Sequence, residues 1–356
     1  MNILIDIGHP SHVHLFKNVI KNLSSKGHRI KITAREKDVT RELLLAYSFE
    51  HTITGKKYRN AKEKLLGLPK VEFELYKIAK QFNPDLLLGA SGNFYVAHVG
   101  KLLNVPSIVF EDSEPDPAFR WLCQPFATNI CTPELFELDC GPKHLRYKGY
   151  KELAYLHPNH FVPDPTVLDT MNINPDEKFI LFRFVGWKAA HDISQSGLDV
   201  EQKIKFVKAM GKYCKVFISS ESQLPDELNE LRLAIPPHKV HDVLGHAFMF
   251  ITDGQTMSTE ASVLGVPTIR TNSFVGTMSN FKELEHKYGL MYSIREPEEA
   301  LNKAIELQNS KNLKQIWGEK RKKLLEDKID VASFIVDLVE GFPGSINKHL
   351  LHSQGT

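Results

Sequence analysis

Apolar and polar positions along this chain alternate between two kinds of segment. Short strand-like runs are predicted at Ile3–Ile7, Arg29–Ala34, Asp85–Gly89 and Val105–Phe110. Between them, apolar residues recur at helical spacing. Val13, Phe16, Val19, Ile20 and Leu23 form one stripe of a helix predicted over His12–Ser25, closed by Gly27. Further helices are predicted over Val71–Gln81 and Tyr95–Leu103. Strands alternating with helices imply a parallel sheet covered on both faces.

The pattern thins between His157 and Pro175 into His-Pro, Val-Pro-Asp-Pro and Asn-Pro breaks, as a linker does. It then restarts with a strand at Phe179–Phe184, a helix at Val200–Met210 and a strand at Lys215–Ser219. A short helical piece at His241–Leu244 follows. The chain is therefore divided into an N-terminal α/β domain (1–160), a linker (161–176), a C-terminal α/β domain (177–330) and a final helix and tail (331–356). Two such doubly wound halves facing each other are expected to bind ligand at the carboxyl ends of their strands.

The most informative stretch is Phe248–Arg270. An apolar strand, Phe248–Thr252, runs into a polar turn, Asp253–Thr256. A helix is predicted from Met257 to Leu264, stopped by Gly265, and Val266–Arg270 opens another strand. A helix N-terminus at a sheet edge aims backbone N–H groups at an anion such as phosphate. Glu260 falls in the predicted first turn, where a carboxylate accepts from sugar hydroxyls or simply complements the helix dipole.

Composition narrows the class. At 356 residues the chain exceeds one ordinary core, which supports two domains. Apolar content is 42% and charged content 25%, as in ordinary globular proteins. A net charge of +2 supplies no bulk field for nucleic acid. No run is long and apolar enough to span a bilayer, and the chain opens directly on a strand, which predicts no signal peptide. The four cysteines lack metal-ligand spacing and are expected as reduced thiols of a cytoplasmic protein. The basic run Lys320–Lys323 is expected on the solvated face of a helix.

These motifs, in this order, resemble the GT-B superfamily of nucleotide-sugar glycosyltransferases and non-hydrolysing UDP-GlcNAc epimerases. More narrowly, the whole chain is similar to a family of predicted glycosyltransferases labelled a domain of unknown function. The resemblance implies two facing Rossmann-like domains with a cleft between them. It gives Gly254, Gln255, Thr256 and Glu260 the donor role, with the turn on diphosphate and Glu260 on ribose; the epimerases carry a double glycine where this chain has Gln255 and Thr256. Arg183, in the loop Arg183–Lys188, adds parallel donors to phosphate oxygens. Lys188, Trp187 and the nearby His191 and Asp192 share that region.

On the acceptor side, the loop Gly8–His14 places His12 where inverting members keep a catalytic base, with His9 as a positioning group. A zinc reading of His9, His12 and His14 is disfavoured by their spacing and by Pro10. Gly92 and Asn93 lie in a loop that lines the acceptor. Glu111, Asp112 and Glu114 form an acidic loop that orients a base or binds acceptor hydroxyls. No metal and no cofactor are expected.

The resemblance implies transfer of a sugar, from a UDP-linked donor by family analogy, to a glycan or lipid-linked hydroxyl with inversion. Epimerisation of a sugar nucleotide and a non-catalytic binding role stand as alternatives. The epimerase signatures are missing from the first loop and from the loop after Phe184. A lipid-linked acceptor would be met peripherally, at the inner membrane face, and Leu65–Pro69 following Lys56–Arg59 is the candidate apolar patch.

Overall fold

The computed structural model describes residues 1–37, 39–55, 61–114, 119–186, 197–273, 275–276 and 278–346, with the backbone alone for 61–66. The chain divides into two compact units, Met1–His160 with Lys328–Thr356, and Phe161–Asp327. The Pro-rich segment 161–176 thus belongs to the second unit, and the last helix, Val331–Glu340, returns to the first. That helix buries Val331, Ala332, Ile335, Val336, Leu338 and Val339 against the helices Pro10–Ser25 and Leu153–Leu156. Its amphipathic stripe needed a partner, and the first unit supplies it.

In the first unit, seven parallel strands run in the order β3-β2-β1-β4-β5-β6-β7. They are β1 (Asn2–Ile7), β2 (Arg29–Ala34), β3 (His51–Ile53), β4 (Leu86–Ala90), β5 (Ser107–Phe110), β6 (Asn129–Pro133) and β7 (His144–Tyr147). Leu4, Leu87, Val109 and Ile130 pack with Leu75, Val96 and Val99 in one buried cluster. The strand order reverses between β1 and β4, the switch point at which open sheets gather ligands. The helix predicted from Val71 begins at Ala61 and contains Pro69.

In the second unit, five parallel strands run in the order β12-β11-β10-β8-β9. These are β8 (Phe179–Phe184), β9 (Lys215–Ser220), β10 (Met249–Thr252), β11 (Thr268–Arg270) and β12 (Met291–Ser293). Gly265 ends the helix Thr256–Leu264 at φ +76°, a conformation that favours glycine. The basic run 320–323 is only partly solvated. Lys322 and Lys323 are exposed, whereas Arg321 Nε donates to the Val263 carbonyl at 2.9 Å and Lys320 Nζ to the Gly289 carbonyl at 2.6 Å. Among the described residues no helix is long and apolar enough to cross a membrane.

Candidate functional site

Each unit gathers polar groups at the carboxyl ends of its strands. In the first unit a small pocket opens where β4, β5 and β7 end beside the start of the helix Pro10–Ser25. His12, Ser91, Glu111, Asp112, Tyr147 and Lys151 supply its polar lining, and Leu15, Ala90 and Phe110 its apolar part.

Glu111 is the unusual group. It is 1% exposed. Its Oε1 accepts from the amides of Asp112 (3.0 Å) and Ser113 (2.9 Å), while Oε2 has no hydrogen-bond partner. Burial, then the charge of Asp112, push the carboxyl up to about 7. Asp112 is held differently. Ser91 Oγ donates to its Oδ1 at 2.6 Å, and Lys151 pairs with Oδ2 at 2.5 Å. The Ser91 hydroxyl also draws the Glu111 pKa down, but by less than burial and Asp112 raise it. Burial works against the Lys151 ammonium, but Asp112 and Glu152 outweigh it and raise its pKa.

His12 sits in the same wall, 4% exposed. The Gly8 amide donates to its Nδ1 at 3.2 Å, and the Ser91 backbone carbonyl accepts from the ring. Burial, followed by the charges of His9, Lys151 and Lys37, holds its pKa well below the usual 6.5. The ring is therefore neutral, with its lone pair on Gly8 and its N–H on Ser91. That arrangement suits a donor or a spacer better than the base expected at this position. His9 is the N-cap of the helix and accepts from the Ser11 amide at 3.2 Å. His14 packs against Tyr47 and Tyr155. Among the described residues no three His, Cys, Asp or Glu side chains converge as a metal cage.

The other acceptor-side candidates do not line this pocket. Gly92 takes φ +70° in the turn after β4, and nothing approaches within 4 Å of where a Cβ would stand. The turn itself favours glycine there. Asn93 is turned inward, donating from Nδ2 to the Asp6 carbonyl (2.8 Å) and to Asp6 Oδ2 (2.7 Å). Asp6 is also gripped bidentately by Arg35. This buried network, invisible in the periodicity, braces the β1 and β2 ends beneath the loop. Glu114 accepts from the Glu137 amide instead of joining Asp112.

In the second unit the turn after β10 is tightly tied. Thr252 Oγ1 donates to the Arg183 carbonyl at 2.9 Å and accepts from the Gly254 amide at 2.8 Å. Asp253 Oδ1 accepts from the Val185 amide at 2.9 Å. A Cβ on Gly254 would lie 2.8 Å from Val185 Cγ1, so the turn requires glycine. The Gly254 amide, expected to face a ligand, is consequently spent on Thr252. The amides of Thr256 and Met257, at the first positions of the helix Thr256–Leu264, have no intrahelical acceptor.

Glu260 lies just past the first turn of that helix, one residue deeper than expected, because the helix starts at Thr256. It is 4% exposed, and its Oε1 is 3.0 Å from His241 Nε2. Arg183 is likewise engaged, donating to Ser219 Oγ and to Glu221 Oε1, each at 2.6 Å. Trp187, Lys188, His191 and Asp192 lie outside the described residues, as do Lys56–Arg59 and the side chains of Leu65 and Leu66.

One residue escaped the sequence reading altogether. Arg270, the last residue of β11, is fully buried, and none of its three guanidinium nitrogens has a hydrogen-bond partner among the described residues. The guanidinium lies 3.9 Å from the centroid of the Phe281 ring. Burial lowers its pKa to about 10, against the pull of Glu285. A charged residue closing an apolar strand was the available signal.

Two parallel sheets in Rossmann-like α/β units give the chain the GT-B fold. The chain belongs to the family described as "Protein of unknown function (DUF354)", which it matches over residues 1–341. It is 23% identical over 283 residues to the uncharacterized protein MJ0665 of Methanocaldococcus jannaschii, covering 76% of this chain and 81% of that one. Three solved structures share the fold. S. aureus MnaA with UDP superposes with a TM-score of 0.68 at 14% identity, over 97% of this chain and 98% of that one. The spinosyn forosaminyltransferase SpnP gives 0.65 at 15%, over 98% and 99%. The UDP-GlcNAc 2-epimerase of Neisseria meningitidis, bound to UDP-GlcNAc, gives 0.60 at 13%, over 92% and 99%.

Proposed function

We propose that this protein is a glycosyltransferase that moves a sugar from a nucleoside diphosphate to an acceptor hydroxyl. The observation that carries the reading is Glu111, a buried carboxyl with one unpartnered oxygen in a pocket of a GT-B chain. A carboxyl raised to about 7 is a competent base near neutrality, because it still favours the proton it takes. In the reaction, the acceptor oxygen forms a bond to the anomeric carbon and the bond to the diphosphate oxygen breaks. The electron pair leaves with the diphosphate and the hydroxyl proton passes to Glu111 Oε2. One displacement inverts the anomeric centre. Lys151, locked to Asp112, keeps a positive charge in the wall and prevents two adjacent carboxylates from both standing uncompensated. His12 serves as a neutral wall residue.

The second unit supplies donor recognition in this reading. The Thr256 and Met257 amides suit a phosphate, and Glu260, oriented by His241, suits ribose hydroxyls. UDP is the donor nucleotide in this reading, because the MnaA structure holds UDP and the Neisseria epimerase structure holds UDP-GlcNAc.

The test is nucleoside diphosphate release from UDP-, GDP- and TDP-sugars, with and without hydroxyl acceptors, by wild type and Glu111→Gln. Transfer by the wild type and its loss in the variant is the expected result. Conversion of UDP-GlcNAc without any acceptor would replace transfer by epimerisation. A folded protein that binds none of these nucleotides would contradict both.

A further inference from the structure

Exposed large apolar side chains are scattered singly over most of the molecule, as at Leu45, Val200 and Ile316, and need no explanation there. On the first unit they collect. Phe73, Leu102, Trp121, Leu122 and Phe126 are all exposed, Trp121 by 75%, Leu102 by 68% and Phe73 by 56%. Three of the four exposed large aromatics among the described residues fall in this group, the fourth being Tyr213 in the second unit.

His98 gathers the elements that carry them. Its Nδ1 meets Glu72 at 2.6 Å on the helix Ala61–Phe82, and its Nε2 meets the Leu122 carbonyl at 2.6 Å in the π-helical turn Phe119–Cys123. Its ring stands edge-on to Phe126, with centroids 4.6 Å apart. Leu102 lies one helical turn beyond His98 on Tyr95–Leu103. The patch is therefore built on a bonded frame and is not a frayed end.

The charge around it is net positive. Lys70, Phe73, Lys77 and Lys80 are exposed at helical spacing on one face, and Lys77 Nζ lies 4.3 Å from the Phe73 ring centroid. Lys101 and Arg120 are exposed beside Leu102 and Trp121. Against these five cations stand two carboxylates, Glu72 beside His98 and Glu74 on the Gly55 amide. Aromatic and aliphatic side chains with a lysine and arginine rim suit the polar–apolar boundary of an anionic bilayer. An isologous contact with a second copy would set these cations against themselves, which disfavours self-association.

We propose that this face, with Trp121 and Phe126 at its centre, seats the protein peripherally on an anionic lipid surface. The inference is independent of the sugar-transfer reading. It is tested by co-sedimentation of the full chain with phosphatidylcholine vesicles, with and without phosphatidylglycerol. Binding to the phosphatidylglycerol vesicles alone, falling with added salt, is expected. Trp121→Ser should weaken it at least tenfold at unchanged melting temperature, since that side chain is solvent-facing. Arg120→Gln or Lys77→Gln should each weaken it about fivefold, the effect of one interfacial charge. Equal binding to neutral and anionic vesicles would overturn the assignment. So would absence of vesicle binding, including the case in which the protein is a dimer that Trp121→Ser dissociates.

Discussion

Glu111 in the first unit and Glu260 in the second are both buried carboxylates near the ends of parallel strands, and they are held in opposite ways. Glu260 meets an imidazole at 3.0 Å and rests on a helix whose turn is pinned by Thr252 and Asp253. Glu111 keeps one oxygen without a donor, beside another carboxylate that has taken both the lysine and the serine hydroxyl. A carboxylate fixed by a partner can orient a ligand without changing its own proton. A carboxylate left short of partners is the one that gains by taking a proton. The same side chain thus fits recognition in one unit and chemistry in the other.

The contrast is broken most strongly at Glu111. Glu111→Gln should lower turnover by about 10²–10⁴ while leaving nucleotide affinity within about twofold, the scale of a lost general base. The wild-type rate should rise through pH 7 as Glu111 loses its proton, and the variant should lose that limb. Rate profiles and calorimetric titration read the two halves separately.

At Glu260 the converse is expected. Glu260→Ala should weaken nucleotide binding by about 10- to 100-fold, the loss of charge-assisted hydrogen bonds, with a smaller effect on turnover. His241→Ala should follow the same direction to a lesser degree, because it acts through Glu260. Equal binding by all three proteins would remove this pair from the donor site.

Stability sharpens the comparison further. The folded state raises the Glu111 pKa from 4.5 to about 7, so it favours the protonated form. The contribution of that preference is complete below pH 4.5 and is lost as pH rises through 7. Glu111→Gln should therefore stabilise the protein at pH 8, relative to its effect at pH 4.5, by up to about 3 kcal/mol in denaturant unfolding. Arg270→Met removes a buried, unpartnered charge and should stabilise by about 1–4 kcal/mol at either pH. Destabilisation there, together with weakened nucleotide binding, would show that the guanidinium answers an anion.

Much of this was legible along the chain, and the exceptions have physical causes. The strand, turn and helix around Glu260 stood out because a fully buried strand is an unbroken apolar run and Gly265 punctuates the helix. β3 and β7, His51–Ile53 and His144–Tyr147, are short and mixed in polarity, so neither carries a period. Glu111 and His12 could be nominated by residue type and position. Their states could not, because the His12 tautomer depends on the Gly8 amide and the Glu111 pKa on what Asp112 has already bound. The partner of Glu260 lies 19 residues back, on another helix, and no local pattern links the two. Arg270 shows the same limit, since an unmet guanidinium exists only once its neighbours are in place.

The most direct measurement is an infrared titration of the carboxyl bands of the free protein, compared with Glu111→Gln. The account predicts one carboxyl band that disappears between about pH 6 and 8 in the wild type and is missing from the variant. A wild type whose carboxyls have all ionised by pH 6, or a neutral-range band that persists in the variant, would contradict it.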